Sequence, residues 1–148
     1  MPNREKRKLI ESIAVSDFFE SYQEQLKLRL VTRADTLRRS KVREKSINRP
    51  ALTLTGHFKY FAHKRIQLFG AGEMSFLRGM TDEKQRITLT KIAEQKIPCI
   101  VISRNFAPTK VMLQVMEEYS IPLFRTPLTS KFSTDATVLL EERFAPRT

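Results

Sequence analysis

Residues 92–127, IAEQKIPCIVISRNFAPTKVMLQVMEEYSIPLFRTP, carry one pattern twice. A helical stretch ends in a polar turn and Ile97-Pro98 opens the apolar run Cys99-Ile100-Val101-Ile102. A second helical stretch follows, and Ile121-Pro122 opens Leu123-Phe124. Short apolar runs without alternation suit strands buried on both faces, as a parallel sheet requires. Between them, across residues 108–119, Val111, Met112, Val115 and Met116 recur at helical spacing. They read as the buried face of a helix, with the methionines as core filler and not as ligands. Strand, helix and strand within about thirty residues predict a βαβ unit with a right-handed crossover. The fold class is therefore α/β, a mainly parallel sheet flanked by helices.

Outward from this unit the pattern continues. Ile66-Gln67-Leu68-Phe69 reads as another buried strand, ended by Gly70 and Gly72, with Phe76, Leu77 and Met80 on a short helix after it. Thr81 suits an N-cap with Asp82 and Glu83 in the first turn, and Ile87, Leu89, Ile92 and Ala93 form the apolar side. Pro50 suits the start of a short helix over Ala51 to Leu54, which Gly56 ends in a left-handed conformation. Nearer the start, Ser16 reads as a cap with Asp17 behind it, and Phe18, Phe19, Tyr22 and Leu26 line one face. Leu26-Lys27-Leu28-Arg29-Leu30 alternates apolar and basic residues, as a half-buried strand does. Ser130 to Phe144 reads as a last helix, stopped by Pro146. Residues 1–8 are expected to be a flexible basic N-terminus and residues 9–148 the domain.

Length and composition bound the rest. A chain of 148 residues makes one domain, or one with an appendage, and 41% apolar residues including ten Phe give it a core. A formal charge of +11 favours contact with nucleic acid, an acidic membrane surface or an acidic protein. The single cysteine, Cys99, excludes an internal disulfide and a zinc site built on several cysteines. No apolar run reaches the length of a membrane span, and the basic opening MPNREKRK lacks the apolar segment of a signal peptide. A cytoplasmic protein is expected.

Arg33 to Arg49 holds seven basic residues against Asp35 and Glu44 only. It reads as a solvated connection with a charged face; the alternative is a patch for nucleic acid or another polyanion. No aromatic residue interleaves it, so it offers no base-stacking platform. The two histidines, His57 and His63, have no carboxylate spaced as a co-ligand, so no metal site is assigned. No catalytic constellation and no G-x-x-x-x-G-K-[ST] phosphate loop occurs, so no catalytic residue and no cofactor is assigned. The candidates for binding stand after the paired strands: Arg104 after one, and Arg125, Thr126, Thr129 and Ser130 after the other. Neighbouring strand ends of this composition could hold an anion such as a phosphorylated metabolite. The plainer alternative pairs Arg125 with Glu117 or Glu118 and leaves the hydroxyls to cap helices.

The strings Asn48-Arg49-Pro50, Leu54-Thr55-Gly56, Phe61, Arg65-Ile66-Gln67-Leu68, Glu73 to Leu77, Ile97-Pro98-Cys99-Ile100, Ile121-Pro122-Leu123 and Arg125-Thr126-Pro127, in this order, resemble the N-terminal domain of bacterial HPr kinase/phosphorylase. The resemblance runs from about Ile13 onward, with Arg33 to Lys45 its least similar part. It implies a small α/β domain similar to the N-terminal domain of Mur ligases. It also implies a non-catalytic regulatory or assembly role in a hexameric, cytoplasmic regulator of carbon catabolite repression. In that family the phosphate loop, and with it ATP and magnesium, belongs to a second domain that this chain does not contain. The partners implied are that kinase domain and further copies of the chain.

Overall fold

The computed structural model describes residues 10–145; the expected flexible N-terminus falls outside them. Five strands form the main sheet. They are β2 (Arg29–Leu30), β4 (Ile47–Asn48), β5 (Ile66–Phe69), β6 (Ile100–Ile102) and β7 (Leu123–Arg125), in the order β2-β7-β6-β5-β4. All pairings are parallel except β2 with β7. β1 (Ile13–Ala14) and β3 (Lys41–Val42) form a separate antiparallel pair.

The helices divide by face. α2 (Ala51–Leu54), α3 (Ala71–Arg78), α4 (Asp82–Glu94) and α5 (Lys110–Glu118) cover one side, where Phe69, Ile100, Ile102 and Leu123 meet Met74, Leu89, Ile92, Met112 and Met116. α1 (Val15–Tyr22) and α6 (Lys131–Phe144) cover the other, where Ile66, Leu68, Val101 and Phe124 meet Phe18, Phe132, Ala136 and Leu140. The alternation of β5 and β6 residues between these two cores is why the sequence shows continuous apolar runs there. Each fully buried large side chain contributes about 1.5–3 kcal/mol. Gln67, wholly buried inside β5, is accounted for: its amide donates to the carbonyls of Ala62 and Arg65 (2.9 Å each) and accepts from Asn48 Nδ2 (2.7 Å).

The central βαβ unit has the form read from the sequence. Val111, Met112, Val115 and Met116 are all buried, and β6 pairs with β7 in parallel. Thr81 caps α4, its Oγ1 accepting from Lys84 N–H (3.2 Å). Gly56 adopts φ 100° after α2.

Other expectations are corrected. Ser16 does not cap α1: the helix already begins at Val15, so Ala14 stands at the cap position, and Val15 N–H donates to the carbonyl of Ser40 (3.0 Å). α3 begins at Ala71, before Gly72, and ends at Arg78, before Met80; on the apolar side of α4, Leu89, Ile92 and Ala93 are buried and Ile87 is exposed. The Leu26–Leu30 strand is reduced to Arg29–Leu30, because Leu26 N–H and Leu28 N–H are taken by a turn after α1 and Lys27 turns left-handed at φ 51°. The basic connection after Arg33 holds a 3-10 turn (Ala34–Leu37), β3 and β4, pinned by the wholly buried Val42.

Candidate functional site

The parallel strands β4, β5, β6 and β7 lie in chain order, and the helices linking them all sit on one face. Strand order never reverses inside the parallel part. The crevice that opens at a reversal in doubly wound sheets, between helices departing to opposite faces, is therefore not formed by these strands.

What the strand ends form instead is a tight seam. After β6, Ser103–Phe106 makes a turn closed by Phe106 N–H to Ser103 O (3.2 Å), with Arg104 and Asn105 at φ 55° and 56°. Two consecutive left-handed residues define a type I′ turn, which suits Asn but costs about 1–2 kcal/mol for a residue such as Arg. The conformation is held from the next loop: Arg104 N–H donates to Leu128 O and Asn105 N–H to Thr126 O, both 2.8 Å. The structure thus brings the two candidate loops together, and uses their backbone donors on each other.

The five candidate residues fare differently. Thr126 is wholly buried; its hydroxyl donates to Leu26 O (2.7 Å) and accepts from Leu128 N–H (3.2 Å), so its one donor lies inside the fold. Arg125 is half-buried; its Nη2 donates to the carbonyl of Asn105 and its buried Nε has no partner among the described residues. Neither Glu117 nor Glu118 meets it: Glu117 pairs with Arg33 (3.7 Å) and Glu118 with Arg86 (3.4 Å). Arg104, Thr129 and Ser130 are exposed, and Ser130 makes no side-chain cap to α6. Arg29 stands opposite Arg125 in the antiparallel pair, a like-charge juxtaposition that strand pairing disfavours.

A second charged feature on this edge was not read from the sequence. Arg49 leaves the end of β4 and holds Glu73 of α3 through two hydrogen bonds, Nε to Oε2 at 3.0 Å and Nη2 to Oε1 at 2.8 Å. Glu73 is 3% exposed. Its Oε1 also accepts from Gly70 N–H (3.0 Å), so the side chain reaches back over the first turn of its own helix. Burial alone would raise the Glu73 carboxyl, but the bonds from Arg49, the backbone donors and the Arg49 charge together hold it below the usual glutamate value. Gly70 permits this by size: a Cβ there would lie 2.4 Å from Arg49 Nη2. The signal available in the sequence was Gly70 followed three residues on by Glu73 at a strand-to-helix junction; its partner lies 24 residues from Glu73 and carries no such mark. Cys99 is wholly buried, and burial pushes its thiol far above the ordinary value. Among the described residues, no helix is long and apolar enough to cross a membrane.

A small α/β domain, with a mostly parallel five-stranded sheet flanked by helices, is the class these features define. Residues 13–140 match the family model described as HPr Serine kinase N terminus, and the chain belongs to that family. It is 34% identical over 124 residues to an HPr kinase/phosphorylase of Caldicellulosiruptor bescii, covering 83% of this chain and 40% of that protein. To the HPr kinase/phosphorylase of Latilactobacillus sakei it is 39% identical over 123 residues, covering 82% and 39%. The chain thus spans about two fifths of the length of these relatives. Among solved structures it resembles the CBS and DRTGG domains of the regulatory region of Clostridium perfringens pyrophosphatase, crystallised with the activator diadenosine tetraphosphate. The TM-score is 0.57 at 12% identity, over 82% of this chain and 46% of that one, a likeness of fold alone.

Proposed function

We propose that the chain is the non-catalytic regulatory and assembly domain of an HPr(Ser) kinase/phosphorylase-like protein in carbon catabolite regulation. The observation that carries this is the family match across residues 13–140, in a chain whose sequence contains no phosphate loop. Phosphoryl transfer needs a backbone nest, a lysine and a metal-binding hydroxyl around the nucleotide phosphates. In this reading those parts, with ATP and magnesium, belong to a kinase domain that works with this one. The protein acts in the cytoplasm as a homo-oligomer, and its fold is akin to the N-terminal domain of Mur ligases.

The strand-end residues Arg104, Arg125, Thr129 and Ser130 fit this role as the place where a phosphorylated metabolite is sensed, through side chains, since the neighbouring backbone donors are engaged. The unpartnered Nε of Arg125 supports that assignment. The test is transfer of labelled phosphate from ATP to HPr in the presence of magnesium. The chain alone gives none; transfer above background overturns the non-catalytic reading.

A further inference from the structure

The edge opposite the strand ends carries a wide concavity. There the basic connection folds over the C-terminal ends of α4 and α5 and bounds a cleft of about 890 Å³. Arg38, Arg39, Lys41, Arg43, Lys64 and Lys96 line it. None of the six is in an ion pair with a described carboxylate; the arginines that are so paired are Arg33, Arg49, Arg65, Arg86 and Arg143. Two of the three lining carboxylates are engaged elsewhere, Asp35 with Arg33 and Glu118 with Arg86.

The clustering is made by the fold and not by sequence proximity alone. β3 is pinned to β1, Ser40 O accepts from Val15 N–H (3.0 Å), and Arg43 N–H donates to Lys64 O (3.2 Å), which draws the loop before β5 beside the connection. Lys96 arrives from the end of α4. The helix ends themselves favour cations, which would account for Lys96. They do not account for the other five. In addition, the last turns close on themselves: Lys96 and Ser120, at φ 60° and 55°, donate their N–H groups to Ala93 O and Glu117 O. Six exposed cations gathered around one concave surface repel one another and raise the local positive potential. A bound polyanion relieves both.

We propose that this cleft binds a small molecule carrying a polyphosphate chain, either free or joined to a nucleoside. Its volume is that of a small-ligand site, which favours such a molecule over a nucleic-acid duplex. The exposed ring of Tyr119 on the lining is the surface against which a base would stack. The inference is independent of the regulatory role proposed above, because either stands if the other fails.

Calorimetry on the whole chain tests it, with inorganic tripolyphosphate, magnesium-free ATP, inorganic phosphate and a short DNA duplex as probes. We expect one tripolyphosphate or ATP per chain, much weaker binding of single phosphate, and a rise in melting temperature with ligand. Arg43→Gln and Lys64→Gln each weaken binding about tenfold, while the unliganded variants melt no lower than the parent, since they remove repulsion. Lys84→Gln, at the other end of α4 and outside the cleft, changes nothing. ATP binding tighter than tripolyphosphate, with the excess lost in Tyr119→Ala, identifies the nucleoside form; equal binding identifies the free chain. The proposal is overturned if neither probe binds, if several bind per chain, or if Lys84→Gln weakens binding as much as Arg43→Gln. Duplex DNA binding more tightly than tripolyphosphate, and weakened by the cleft variants, would replace it with a nucleic-acid site.

Discussion

Replacing Arg49 by Ala strips the buried Glu73 carboxylate of its cation and leaves it with backbone donors such as Gly70 N–H. Two charge-assisted bonds of 3.0 and 2.8 Å disappear. Removing one partner of a buried pair costs about 3–5 kcal/mol. The Arg49 side chain is 46% exposed, so solvent already screens part of the attraction, and the expected loss is about 2–3 kcal/mol. For a domain of this size that lowers the melting temperature by about 4–12 °C. The pH dependence gives a sharper test. In the unmodified chain the folded Glu73 carboxyl is held below its ordinary value of 4.5. Its contribution is therefore complete above that value and is lost as pH falls through the lower, folded one. In the variant, burial becomes the dominant influence and the folded carboxyl moves above the ordinary value. The variant's deficit should then shrink as pH falls from about 7 toward about 5, because the buried group takes up a proton there. Urea denaturation at both pH values measures this. A loss under about 0.5 kcal/mol, or a deficit that does not shrink on acidification, refutes the reasoning.

Four further outcomes are expected. Gly70→Ala should cost about 1–2 kcal/mol in the parent, by displacing the Arg49 guanidinium from Glu73, and almost nothing in the Arg49→Ala background; equal costs in a double-mutant cycle would show that the two sites are uncoupled. Thr126→Val should cost about 1–3 kcal/mol by orphaning Leu26 O and Leu128 N–H, and should speed amide exchange at Asn105 and Leu128, whereas a neutral substitution would show that the seam is not held there. Arg125→Ala should barely change stability, since it also removes an unpaired buried N–H, yet should weaken binding of a phosphorylated sugar by roughly 1.5–3 kcal/mol; calorimetry finding no phosphorylated metabolite bound by the parent at millimolar concentration would make Arg125 purely structural. Cys99 should resist alkylation in the native chain and react on unfolding; rapid native labelling would contradict its burial.

The parts of the fold legible in the sequence are those whose local pattern and tertiary role agree. Cys99–Ile102 and Leu123-Phe124 are apolar throughout because both faces of the sheet are covered, and the Val111–Met116 periodicity survives because α5 rests on one core. Thr81 caps where its position suggests. What escaped was decided by partners distant in the chain. β1, β3 and β4 have two residues each, too few to show a period, and Val42 counts as core only because β1 lies beside it. Ser16 looked like a cap, but the helix begins one residue before it. The strand-end loops were correctly placed side by side, but nothing local revealed that their backbone donors would bind each other, or that Thr126 would reach Leu26. The Arg49–Glu73 pair shares that difficulty, and so does the cleft in part: Arg38 to Arg43 stood out as a basic run, but Lys64 and Lys96 join it only through the fold.

The central claim, that this domain regulates and assembles a kinase without performing its chemistry, is tested most directly in the Caldicellulosiruptor bescii relative. The measurement is HPr phosphorylation, with particle mass, for three forms of that protein: intact, lacking the segment that matches this chain, and with this chain fused in its place. If the domain regulates and assembles, the shortened form still transfers phosphate but has a smaller particle mass and a rate that no longer changes with added phosphorylated metabolite, and the fusion restores both. A fusion indistinguishable from the shortened form, or a shortened form with unchanged assembly and response, would contradict it.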